Sequence, residues 1–245
     1  CSSKTSSLLG RTERRVREIF RSTILARLWR PLPLGFTLGW LVFAGAMRVR
    51  GYLDPAIAMY VLVIFMGLVS LDVENGGLHL ILARRITRNQ YLAGRLSAAL
   101  SIGFVFCLLR VAVTWGAALT WAPPDRLPTS EDLIALLVQS LGQASWQIAI
   151  LFFFSTFLPG RIDAFAYWLL LVANEALNGL GIALDKIWVV TLTEWIADQL
   201  QNPLNSWAFG AASWTDLLRF SSNLTLVILA GALIFHRRQF SYAAG

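Results

Sequence analysis

Seven residues of types suited to charge pairing, sharp turns and apolar packing, Glu74, Gly76, Leu82, Arg84, Ile86, Arg88 and Tyr91, fall in one stretch. It reads "VENGGLHLILARRITRNQYLAGR" over 73–95. An acid and two glycines come first, then a short apolar run, then arginines at 84, 85, 88 and 95. Here Glu74, Arg84, Arg88 and Tyr91 can form ion pairs and hydrogen bonds, Gly76 can turn the backbone, and Leu82 and Ile86 can pack. Two uses fit: a basic loop that only sets membrane orientation, or a docking element for a partner.

A second polar set lies within apolar segments. Arg110 and Glu175 carry charge where a span would place them, so each needs a partner or water. Counting 1.5 Å per residue from the span ends puts the two at comparable depth, and we expect them to pair. Gln139, Gln143 and Gln147 recur every four residues, as do Asn174 and Asn178, so each set forms a polar stripe facing protein or water. The stripes fit interhelical hydrogen bonding or a translocation path. Gly35 and Gly39 form a GxxxG, a spacing that permits close helix approach at a dimer interface.

Motifs for covalent chemistry do not occur. His79 and His236 are the only histidines, and HExxH, GxSxG and the phosphate-cradling GxxxxGK[ST] are missing. No residue is read as catalytic or metal-binding, and an ATPase, if one is used, is another chain. Cys107 lies in an apolar run, so neither a disulfide framework nor a cysteine metal site is expected. The chain begins at Cys1 without Met, which reads as a trimmed start, and no cleavable signal peptide is visible. A lipid-modified Cys1 would put that end outside, against the charge pattern below.

The elements that hold these residues follow from composition. The chain has 245 residues, 56% of them hydrophobic and 14% charged, with mean hydropathy +0.60. A soluble domain would carry about 25% charge, and the apolar residues here come in long runs rather than stripes, so the expected solvent is lipid. The expected fold is all-α: a polytopic membrane protein with six transmembrane helices, over about Pro31–Met47, Pro55–Leu71, Leu92–Leu119, Leu133–Leu158, Asp163–Leu184 and Ser222–Phe235. Residues 1–30 are a tail and an amphipathic interfacial helix, with Val16, Ile19, Phe20, Ile24 and Leu28 on one side. Residues 31–238 form the membrane domain and 239–245 a tail. Asp185–Phe220 is too polar for a span and reads as short helices at the outer interface, with Ile187–Leu200 the clearest. Asp72 and Asp163 are taken to mark span ends.

Thr87-Arg88-Asn89-Gln90 fits a capping box, so the third helix should start there. Glu74–Arg85 then becomes a separate short surface helix at the Gly76–Gly77 joint.

The net charge is +7. With both termini inside, fifteen basic residues are cytoplasmic and five external, with Arg110 within a span. That bias points to N-in, C-in, and the expected location is the inner (cytoplasmic) membrane. Trp115, Trp121, Trp188, Trp195, Trp207 and Trp214 then gather at the outer face as an aromatic belt.

Glu74, Gly76, Leu82, Ile86, Arg88, Tyr91, Gly94 and Arg95 together resemble the cytoplasmic signature of ABC-2 type transporter permeases. The order of elements agrees along the chain: interfacial helix, six spans, and broken helices before the last span. Arg85 stands where that family usually has Pro, and Leu78 and His79 near a frequent Thr. The resemblance implies that Glu74–Arg85 is a coupling helix seated in a groove of an ABC ATPase (nucleotide-binding) subunit. It implies two permeases, identical or paralogous, with two such ATPases, the first and fifth spans meeting across the dimer. ATP and Mg would be held by the ATPase, and this chain would bind no cofactor. The expected function is that of a permease in an ABC exporter of lipid, polysaccharide, drug or peptide. The alternatives are a non-transporting membrane scaffold and, third, an intramembrane enzyme. Membrane lipids, and no nucleic acid, complete the expected partners.

Overall fold

The structure is a computed structural model that describes residues 14, 16–25, 27, 31–49, 57–76, 78, 81, 83, 86–121, 129–160, 162–201 and 214–238. All regular structure among them is helical. α1 covers 16–25, with Arg14 and Arg27 also helical. α2 is Pro31–Val49, α3 Ile57–Phe65, α4 Ser70–Glu74 and α5 Arg88–Trp121. α6 is Ser130–Phe157, α7 Ile162–Ala183, α8 Ile187–Gln201 and α9 Trp214–Arg237.

Four of these helices, α5, α6, α7 and α9, are long and apolar enough to cross a membrane. The chain is therefore an all-α membrane protein. α2 spans 19 residues, but its apolar part, Pro33–Ala46, is shorter.

The second expected span differs most. Its helix stops at Phe65, a turn covers 66–69 with Gly67 at φ +68°, and α4 begins at Ser70. α3 alone has 9 residues, about 13 Å at 1.5 Å per residue, against a hydrocarbon core about 30 Å thick. The left-handed backbone at Gly67 is what ends the helix. An Ala there would be strained and would press on the Leu71 side chain.

Other ends lie close to expectation. Thr87 N–H donates to Gln90 Oε1 at 3.1 Å and Gln90 N–H to Thr87 Oγ1 at 3.3 Å, closing the capping box at the start of α5. α6 starts at Ser130, three residues before the expected Leu133, and Thr129 caps it in the same reciprocal way with Asp132. α9 starts eight residues before the expected Ser222. Its first turn carries Asp216, and a carboxylate there favours the helix dipole.

α6 is the central element. It packs against α3, α4, α5, α7, α8 and α9, while α2 lies along α5 and α8 along α7. The core runs between α3, α5 and α6, where Tyr60 stacks on Phe106 with centroids 3.4 Å apart. Leu34, Leu38 and Val42 on α2, and Phe165, Leu169, Leu177 and Leu180 on α7, are exposed, as lipid-facing residues are.

Candidate functional site: a side-chain lock at the broken helix

Breaking a helix leaves backbone groups unpaired, and in a low-dielectric setting each unpaired group costs several kcal/mol. Side chains from distant elements meet this need at the 66–69 turn. Arg27, at the end of α1, donates Nη1 to the Ile64 and Met66 carbonyls at 3.0 and 2.8 Å. Its Nη2 donates to the Gly67 carbonyl at 2.9 Å. The planar fork of a guanidinium suits three carbonyls converging in this way. Burial, with the Arg95 charge adding to it, pulls the Arg27 pKa down to about 10, which leaves it charged at neutral pH.

The N–H groups of the turn are met from the other side. Gly67 N–H donates to both carboxylate oxygens of Asp163, at 3.1 and 2.9 Å. Val69 and Ser70 N–H both donate to Ser155 Oγ, at 2.7 and 2.9 Å. Ser70 Oγ in turn donates to the Gly160 carbonyl. Asp163 sits in the first turn of α7 and Ser155 in the last of α6. Three carbonyls and three N–H groups of one break are thus held by α1, α6 and α7.

One turn further on, α5 joins. Arg95 forms an ion pair with Asp72 of α4 and donates to Thr23 Oγ1 of α1 at 3.0 Å. Tyr91 donates its hydroxyl to the same Asp72 oxygen, and the Arg95 guanidinium carbon lies 5.6 Å from the centre of the Tyr91 ring. Tyr91 also stacks on Phe235 of α9 at 6.0 Å. Beside it, Arg88 Nη1 donates to the His236 and Arg238 carbonyls at 2.8 and 3.2 Å, satisfying the end of α9. Arg238 donates to the Thr156 carbonyl at 3.2 Å. One end of the bundle is therefore cross-linked by arginines.

The residues singled out from sequence fall around this lock. Glu74 is the last residue of α4 and exposed, with its carboxylate next to Gly160. Gly76 turns the chain at φ +68°. Leu78, Ile81 and Ala83 are helical, with Leu78 fully buried. Ile86 is half-buried against the core, while Arg88 and Tyr91 have the partners given above. Leu82 and Arg84 lie outside the described residues. The expected helix over Glu74–Arg85 divides: Glu74 closes α4, and helical residues follow only after the Gly76 turn.

The mid-span set lies on α5, α6 and α7. Arg110 is buried and donates Nη1 to Ser140 Oγ on α6 at 3.2 Å. The side chain of Glu175, its expected partner, lies outside the described residues. Gln139 and Gln143 are half-buried on α6, and Gln147 is 2% exposed. Asn174 is buried, and Asn178 accepts from Thr193 of α8 at 3.2 Å. Gly35 and Gly39 sit on the exposed side of α2 with open space around them.

Sequence reasoning missed the centre of the site. In the sequence Arg27 is one more basic residue of the amphipathic interfacial helix, and Asp72 and Asp163 read as span-end markers. Nothing in the local sequence sets Ser70 and Ser155 apart. The signal available was the run Gly67, Ser70, Asp72 inside an otherwise apolar segment.

No protein-family model matches the chain, and a search of curated proteins finds no match.

Proposed function

We propose that this chain is the membrane-spanning permease subunit of an ATP-binding cassette transporter, an exporter in the inner membrane. In this reading α2 and the broken α3–α4 segment complete six crossings, and both termini are cytoplasmic. A second permease copy or paralogue and two ATPase subunits complete the assembly, with ATP and Mg on the ATPases.

One observation carries the reading: the break at 66–69 leads directly into the 74–88 segment and is bonded to α1, α6 and α7 at once. A push on that segment reaches α4 first. The Asp72–Arg95 pair and Tyr91 pass it to α5, Asp163 to α7, and Arg88 to the end of α9. Polar lock residues suit this work because hydrogen bonds fix direction as well as distance, whereas apolar packing between lipid-exposed helices lacks a hydrophobic driving force. The fifteen-to-five distribution of basic residues supports placing the lock on the cytoplasmic side.

Isolation of the intact complex from its native membrane tests the proposal. The expected result is co-purification with a P-loop ATPase whose hydrolysis rate depends on this chain. A stable complex containing no ATPase contradicts it and favours the scaffold reading.

A further inference from the structure

α1 has two unlike sides. Ile19, Thr23 and the bonded Arg27 turn into the bundle, and Val16, Phe20 and Ile24 are half-buried beside them. Gly94 of α5 makes this seat: a Cβ there would lie 2.9 Å from Ile19 and 3.2 Å from the Val16 carbonyl oxygen. The opposite side exposes Arg14, Arg17 and Arg21, with Glu18 among them and Leu25 at 45% exposure. An amphipathic helix at a membrane ordinarily commits its apolar side to lipid. Here protein takes up that side, so contact with the surroundings is left to the arginines.

We propose that Arg14, Arg17 and Arg21 form a docking surface for the headgroups of anionic phospholipids. The position of α1 supports lipid as the occupant. Gly94 is six residues into α5, about 9 Å from its start at 1.5 Å per residue, which is headgroup depth for a spanning helix. α1 also leads within a few residues into α2 at Pro31. Leu25, exposed beside the arginines, gives the acyl boundary an apolar contact that an acidic soluble protein would not need. Guanidinium forks match phosphate oxygens, and basic residues next to a span attract anionic leaflets. Glu18 offsets one of the three charges. The proposal requires only the membrane-embedded fold and stands apart from the transport reading.

Native mass spectrometry of the full chain in detergent tests it, with phosphatidylglycerol titrated in and phosphatidylcholine as the neutral control. Wild type should prefer phosphatidylglycerol and lose that preference as salt rises. The variant Arg14→Gln/Arg17→Gln/Arg21→Gln should bind the anionic lipid about 100-fold more weakly, from about fivefold per arginine. The corresponding triple Lys variant, which keeps the charge, should retain most of the binding. Equal affinity for both lipids in wild type, or binding indifferent to salt, overturns the proposal whether or not the Gln variant folds. Unchanged phosphatidylglycerol binding by a folded Gln variant also overturns it, and loss of an acidic protein partner in its place assigns the surface to protein.

Discussion

The lock at the broken helix and the polar middle of α6 and α7 use similar residue types to opposite effect. At the break, six backbone groups find partners on side chains from three elements. In the middle, the acceptors Gln147 Oε1 and Asn174 Oδ1 are buried without a hydrogen-bond partner among the described residues, whereas the lock leaves a donor, Arg95 Nε, in that state and no acceptor. The first arrangement fixes helix ends relative to one another. The second leaves acceptor capacity inside the bundle, which suits residues that change partners as helices move. Along α6 the two polar sets lie about 12 Å apart, from Ser155 to Gln147 at 1.5 Å per residue.

Substitutions can break this contrast. The largest effect is expected at Arg27→Met, which orphans three carbonyls at once; a loss of about 3 kcal/mol or more is expected, at about 1–3 kcal/mol per unsatisfied buried group. Thermal unfolding in detergent measures it. Arg27→Lys should recover less than half, because an ammonium lacks the fork. Full recovery would show that charge alone suffices.

Asp72→Asn and Arg95→Gln come next, each costing about 1–3 kcal/mol. This is below the ~3–5 kcal/mol for breaking a fully buried pair, because the Asp72 side chain is 24% exposed. A double-mutant cycle should return a coupling of about 1 kcal/mol or more. Strict additivity would mean that the pair is incidental.

Thr87→Ala removes a cap from α5 and should cost about 1 kcal/mol, readable as a small shift in the unfolding midpoint. Gln147→Leu and Asn174→Leu should be near neutral for folding, since each removes an acceptor that lacks a partner within the described chain. If either destabilises the protein as much as Asp72→Asn, the two polar regions do the same work and the contrast fails.

Legibility from sequence followed the range of the interactions. The Thr87 capping box and the start of α8 at Ile187 are written within a few neighbouring residues, and both lie where expected. The end of α7 is equally local: Asp185 at φ 52° and the bonds from Asp185 and Lys186 N–H back to Ile182 and Gly181 form a Schellman-type stop. The break at 66–69 is different. Its residues, Met-Gly-Leu-Val, read as ordinary span, and the groups that stabilise it sit 40 residues before and 96 residues after Gly67. Periodicity cannot report a helix end whose caps come from other helices. Arg88 reads from sequence as part of a docking segment; only the folded chain brings the end of α9 to it.

In the proposed permease the lock transmits motion from the 74–88 segment to the spans. Its most direct test is ATP hydrolysis coupled to transport by the reconstituted complex carrying Asp72→Asn, which keeps the shape of the joint but removes its charge. The expected result is an assembled complex that still hydrolyses ATP while transport per ATP falls several-fold. Wild-type coupling in an assembled Asp72→Asn complex would contradict it.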